Sequence, residues 1–264
     1  MCRWAAYLGE PIFLEDIVSA PSHSLIAQSH CAQQAKTATN GDGFGVAWYG
    51  ERDEPGLYRD ILPAWSDPNL TNLCRQVRSR LFLAHVRAST TGGTSRANCH
   101  PFACGRWAFM HNGQIGDFAA IRRALENGLP DTLYASRHGT TDSELLFLIM
   151  LDEGLDAEPH GAAERAVARV IAAARRAGVE PHIRLTAAFT DGEQLYAVRY
   201  ATDRFAPTLY LSESKSGRSL VSEPLDGNGP AWRPVPAGSF VTVSATGVAV
   251  SAFAPAGDRL AIAV

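Results

Sequence analysis

The chain has 264 residues, 46% hydrophobic and 19% charged, the proportions of a soluble globular protein rather than a disordered or fibrous one. Lys and Arg number 24 against 27 Asp and Glu, for a formal charge of -3, and no Lys/Arg-rich run occurs, so neither nucleic acid nor another polyanion is an expected partner. The longest strongly apolar run, Leu145–Leu151, is too short to span a bilayer, so no membrane partner is expected.

The chain opens with MCRWAAYLG. Glu10, Glu15 and Asp16 interrupt the first twenty residues, which therefore do not read as a signal peptide. Five cysteines (Cys2, Cys31, Cys74, Cys99 and Cys104) form an odd set without a C-x-x-C pair, as expected of free thiols in the cytoplasm. Cys2 reads in two ways. It is a small buried hydrophobe entering the first strand, or, once Met1 is removed, an N-terminal residue carrying both a thiol and a free α-amine.

Short segments rich in β-branched and aromatic residues, bounded by turn formers, predict strands at Arg3–Leu8, Gly43–Tyr49, Arg80–Arg87 and Arg106–His111. An amphipathic helix is expected over Asp117–Asn127. Thr141-Asp142-Ser143-Glu144 ahead of Leu145–Leu151 fits a capping box opening a second helix. A third, Gly161–Ala177, places Val167, Val170, Ile171 and Ala174 on one face and is ended by Gly178 and Pro181. Strands resume at Ile183–Thr190, Gln194–Tyr200, Thr208–Leu211, Ser219–Ser222, Phe240–Ser244 and Gly247–Phe253, with short hairpin connections after the first and the fifth. Strands, then helices, then strands suit an α+β fold of antiparallel sheets with helices packed outside them. No linker or repeat divides the chain, and a single domain over 2–264 is expected.

Four stretches call for a chemical reading. NGDGFG has alternating glycines, but the third arrives too early for a dinucleotide fingerprint and the stretch leads into a strand; a tight turn or close backbone approach accounts for it as well. HVRASTTGG ends a strand on Arg87, whose guanidinium can grip a carboxylate through two parallel hydrogen bonds or pair with a surface acid. His85, two residues earlier, reads as a satisfied core histidine. HNGQI carries Asn112-Gly113, a common turn signal, yet an Asn amide and the next backbone N–H can also converge on one oxyanion. Asp142 suits the first turn of a helix or the recognition of a substrate ammonium. Cys99, His100, Cys104 and His111 match no usual zinc spacing, and neither metal nor cofactor is expected.

Taken together, these stretches resemble the class II glutamine amidotransferases, N-terminal-nucleophile (Ntn) hydrolases that begin with a catalytic cysteine. MCRWAAYLG, NGDGFG, HVRASTTG, NCHPF, HNGQI and TTDSELLF follow the family order across residues 2–148. The later SEPLDGNGPAWRPVPAGSFV is similar to the closing segment of stand-alone members, among them the ergothioneine-pathway γ-glutamyl amidohydrolase and glutathione-degradation amidotransferase subunits. Ala88 and Thr91 depart from the Trp and His common in synthase-linked relatives, which bears on the γ-glutamyl substrate accepted.

The resemblance implies a four-layer αββα sandwich of two mainly antiparallel sheets between helical layers. It implies Cys2 as nucleophile, Asn112 and Gly113 as oxyanion hole, Arg87 with Thr90 as carboxylate ligands, and Asp142 as ligand of the α-ammonium. The expected reaction is hydrolysis of a γ-glutamyl amide through a Cys2 thioester, releasing glutamate and ammonia or an amine. The substrate would be a small γ-glutamyl compound. Two alternatives stay open: a glutaminase subunit feeding ammonia to a separate synthase partner, and a catalytically silent γ-glutamyl-binding protein.

Overall fold

Strand β1 (Arg3–Phe13) is buried on both faces through Leu8, which is why RWAAYL reads as a near-continuous apolar run rather than an alternation. Trp4, Ala6 and Leu8 join one core cluster, Ala5 and Tyr7 another. The computed structural model describes residues 2–34, 38–89 and 93–258. After β1 come α1 (Glu15–Val18), α2 (Leu25–His30), β2 (Phe44–Trp48), β3 (Gly56–Asp60), α3 (Pro68–Gln76), β4 (Arg78–Val86), β5 (Phe102–Cys104) and β6 (Trp107–Ile115). The helical section holds α4 (Phe118–Glu126), α5 (Asp131–Ala135), α6 (Asp142–Asp152) and α7 (Pro159–Arg176). The chain then forms β7 (Ile183–Thr190), β8 (Leu195–Ala201), β9 (Tyr210–Glu213), β10 (Gly217–Val221), β11 (Arg233–Pro234), β12 (Ser239–Ser244) and β13 (Gly247–Ala252).

Two sheets result, ordered β11-β9-β10-β1-β4-β2-β3 and β13-β12-β8-β7-β6-β5. Neighbouring strands among the described residues pair antiparallel. Between the sheets lie Trp4, Leu83, Met110, Ala188 and Val241. Trp4 Nε1 donates across this layer to the Thr186 carbonyl at 3.1 Å. Leu14, Leu25 and Leu70, from α1 to α3 and their flanks, cover the outer face of the first sheet. Ile121, Phe147 and Val170 of α4, α6 and α7 cover the second. The architecture is therefore the αββα sandwich. Helix α6 is apolar nearly all round because it is buried on nearly every side, with Phe147 stacked on Phe109 at 5.3 Å.

The start of β1 is also fixed from the far end of the chain. Ala5 pairs with Val221, and Trp4 N donates to Ser222 Oγ at 2.9 Å. Beside it, the buried Arg3 guanidinium meets Glu223, Nε to Oε2 at 3.1 Å. The same carboxylate accepts from His23 Nε2 at 2.6 Å, Gln33 N at 2.8 Å and Gln34 N at 2.9 Å.

Several elements differ from the sequence reading. The strand expected to stop at His111 runs through to Ile115, pairing Asn112 with Thr186 and Gly113 with Leu185, so Asn112-Gly113 is not a turn. At the capping box, Thr141 Oγ1 accepts from Glu144 N at 3.1 Å as anticipated. The reciprocal bond is replaced: the Glu144 carboxylate accepts from His138 N and Gly139 N instead, at 2.9 and 2.7 Å. Strands β3, β5 and β11 and helices α1, α2, α3 and α5 were not anticipated.

Candidate active site

Antiparallel pairing of β1 with β4 sets Arg3 opposite Val86, so the residue before one strand meets the residues after the other. Cys2, Arg87, Ala88 and Ser89 thereby share a cavity, whose other described walls are His100, His111, Gly113 and Thr141–Ser143. Cys2 is partly buried, with Sγ 3.5 Å from the Ala88 carbonyl. Burial pushes its thiol above the ordinary range, against the opposing pull of the Ala88 backbone amide, Arg87 and Arg3. The thiol is thus protonated at neutral pH and needs a base to become a nucleophile.

Arg87 is buried and laced to the glycine-rich stretch. Its Nη1 donates to the Asp42 carbonyl at 3.3 Å and its Nη2 to Ser89 Oγ at 3.1 Å. Ser89 N donates in turn to Asp42 Oδ2 at 2.7 Å, and Arg87 N to the Gly43 carbonyl at 2.8 Å. Close approach explains the glycines. A Cβ on Gly43 (φ +116°) would come within 2.6 Å of Cys99 Sγ, and one on Gly45 within 2.2 Å of the His100 carbonyl oxygen.

Asn112 is fully buried, and neither polar atom of its side-chain amide has a hydrogen-bond partner among the described residues. Gly113 follows at φ +154°, where a Cβ would sit 1.8 Å from the Arg184 carbonyl oxygen, so glycine is obligatory. Asp142 is held at the start of α6: Oδ2 accepts from Ile115 N and Oδ1 from Ser143 N, each at 2.8 Å. A carboxylate has about four acceptor sites, so these bonds orient the group without saturating it.

Three histidines surround these residues. His111 donates from Nε2 to the Arg184 carbonyl at 3.1 Å and accepts at Nδ1 from Ser143 Oγ at 2.9 Å. Burial lowers its pKa, with Asp142 opposing. His85 Nε2 donates to the His111 carbonyl at 3.2 Å, and burial pushes its pKa down to about 3. His85 is a core histidine only half satisfied, since its Nδ1 has no partner among the described residues. His100 is likewise held well below the usual range by burial. All three rings are neutral at pH 7.

Of the sequence-derived site residues, Cys2, Arg87, Gly113 and Asp142 line one cavity, and Asn112 adjoins it on β6. Thr90 lies outside the described residues. The sequence reading missed the supporting roles of Asp42, Ser89 and Ser143. Each stands inside a motif already singled out: Ser89 two residues from Arg87, Ser143 next to Asp142, and Asp42 in the glycine-rich stretch, from which it reaches Arg87 and Ser89. Among the described residues no group of three or more His, Cys, Asp or Glu side chains could hold a metal, and no helix is long and apolar enough to cross a membrane.

Comparison with known proteins shows the family of the chain. The family profile of class-II glutamine amidotransferases matches residues 17–210. The chain is 35% identical to the probable glutamine amidotransferase DUG3 of Saccharomyces cerevisiae, over 92% of this chain and 82% of that protein. It is 29% identical to the gamma-glutamyl-hercynylcysteine sulfoxide hydrolase of Mycolicibacterium smegmatis, over 95% of this chain and 99% of that one. Among solved structures, a glutamine aminotransferase class-II domain protein from Silicibacter pomeroyi superposes with a TM-score of 0.77 at 45% identity, covering 96% of this chain and 100% of that chain. The phosphoribosylpyrophosphate amidotransferase of B. subtilis shares the fold at 14% identity, with a TM-score of 0.66 over 96% of this chain and 49% of that one.

The chain belongs to the class-II glutamine amidotransferases. It is an amidohydrolase of the γ-glutamyl type, with the fold of the Ntn enzymes.

Proposed function

We propose that Cys2, freed of Met1, attacks the γ-carbonyl of a γ-glutamyl amide whose head group is held by Arg87 and Asp142. The observation that carries this reading is the single cavity joining the Cys2 thiol, the Arg87 guanidinium, the Gly113 backbone and the Asp142 carboxylate. Arg87 takes the α-carboxylate through paired N–H donors, and Asp142 takes the α-ammonium. The α-amine of Cys2 accepts the thiol proton, directly or through a water, and sulfur bonds to the γ-carbon. The oxyanion settles between the Asn112 amide and the Gly113 N–H. The C–N bond then breaks, the leaving nitrogen takes the proton, and water hydrolyses the thioester to glutamate.

Asn112→Ala separates this role from a structural one. Its amide bonds to nothing among the described residues, so removal forfeits no hydrogen bond with them. The variant should lose about 10²–10³ in kcat, the scale of one oxyanion donor, while its Tm holds or rises. A matching fall in Tm and kcat would make Asn112 a packing residue.

The substrate we favour is larger than glutamine. The residues after α6 complete the two sheets, β7 pairing with β6 and β10 with β1, and form no separate synthase unit among the described residues. Ammonia released by this chain alone would escape, whereas an amine fragment is itself a product. The Mycolicibacterium relative, a γ-glutamyl-hercynylcysteine sulfoxide hydrolase by name, fits that pattern. Assays of glutamate release over a panel of γ-glutamyl amides and peptides should give a higher kcat/KM for a member of the panel than for glutamine. Preference for glutamine, or activity only with a co-purifying synthase, would mark an ammonia-supplying subunit instead.

A further inference from the structure

His100 stands in the NCHPF stretch, and none of the roles above uses it. Its side chain is 4% exposed and lines the same cavity as Cys2 and Arg87. The ring is held on several sides. It stacks on His85 with centroids 4.2 Å apart and leans on Phe102 at 4.5 Å. Its carbonyl packs into the space that Gly45 leaves by lacking a Cβ. Yet among the described residues neither ring nitrogen has a hydrogen-bond partner. A rigidly placed, buried polar group left unpaired beside a binding cavity calls for a partner that arrives with the ligand.

The surroundings indicate which part of the ligand. The ring is neutral, so it offers one N–H donor and one lone pair. The charged groups acting on it are the guanidinium ions of Arg87 and Arg59, and its other neighbours His85 and His111 are neutral. Such a field repels an ammonium and favours an anion. A ring this weakly basic is also a poor proton acceptor at neutral pH, which argues against its serving as the base for Cys2.

We propose that His100 is a substrate-contacting residue, donating a hydrogen bond to the α-carboxylate of the γ-glutamyl group beside Arg87. This rests on the proposed function, in which Arg87 binds that carboxylate. The stack on His85 fixes the plane of the ring and the Gly45 contact fixes its depth, so the donor is in place before substrate arrives. His85 is a positioning residue in this arrangement.

The test is covalent labelling of Cys2 by a diazoketone analogue of glutamine and by its α-descarboxy counterpart, followed by intact mass at graded reagent concentrations. His100→Phe keeps a ring to stack on His85 but removes both nitrogens, and His100→Gln restores an N–H donor of similar reach. With the full reagent, the Phe variant should raise KI about 10–100-fold, the scale of one hydrogen bond to a charged group, with kinact and Tm little changed. The Gln variant should recover part of that loss. With the descarboxy reagent, wild type and both variants should react alike. An unchanged KI in the Phe variant, an equal loss on both reagents, or a Gln variant no better than Phe would overturn the role of His100. Should the Phe variant fail to fold, the Gln variant decides through the same comparison of the two reagents. Wild-type protein that neither reagent labels would sink the γ-glutamyl reading, and this inference with it; a labelled wild type with indifferent variants sinks only the inference.

Discussion

A Cys2→Ala chain is expected to fold normally and to release no glutamate from any γ-glutamyl compound. The thiol contributes little to the folded state: it is partly buried ahead of β1, and among the described residues it makes one long hydrogen bond, to the Ala88 carbonyl at 3.5 Å. Strand β1 is held independently by its ladders to β4 and β10 and by Ser222. Tm should therefore shift by no more than a few degrees, the scale of about 1 kcal/mol in a chain of this size. Activity should fall on the order of 10⁶-fold, as when other covalent nucleophiles are removed. Side-by-side thermal melts and glutamate-release assays read both quantities. Turnover by the alanine variant would reduce Cys2 to a structural residue.

Retaining Met1, or placing any residue ahead of Cys2, is expected to cost nearly as much. Burial keeps the thiol protonated at neutral pH, so catalysis needs a base. The nearby imidazoles are poor candidates: His85 is pushed down to about 3, and His100 and His111 are also held below their usual range. Asp142 is already engaged by two backbone N–H groups. A free α-amine, with a pKa of about 7.7–8.0, is the stronger base. Because it acts deprotonated, kcat/KM should fall as the pH drops through that range and level off above it. Protein bearing a cleavable N-terminal extension, assayed before and after cleavage with intact mass as control, provides the measurement. Full activity with Cys2 capped would assign proton transfer to another group.

The sequence exposed different parts of the molecule unequally. Core strands such as β7 and β8 were legible because β-branched and aromatic runs end at Asp-Gly, and their observed bounds fall close to those expected. Strands β5 and β11, three and two residues long, carry too little pattern to stand out. Helix α3 did carry a signal that went unread: Asp67 caps it from Oδ1, and Pro68 fills the first turn. Asn112-Gly113 carried a misleading one. Local propensity favours a turn there, but pairing with Thr186 and Leu185 overrides it and keeps the dipeptide in a strand. The site residues were legible as types in order, since each motif holds one reactive side chain. Their convergence was not, because it depends on β1 pairing with β4 and on β6 lying in the opposite sheet.

The tie between the start of β1 and residues 221–223 has a consequence in time. Ala5 waits for Val221, Trp4 for Ser222 and Arg3 for Glu223, partners more than two hundred positions later in synthesis. At about 5–20 residues per second, the ribosome delivers them on the order of ten to forty seconds after Cys2 has been made. Throughout that interval the leading end of the nascent chain lacks the neighbours that will enclose it, and an aminopeptidase working at the exit tunnel has open access. On the proposed mechanism, excision of the initiator methionine belongs to the period before the sheet closes, and the site is enclosed only once residues 221–223 have been made.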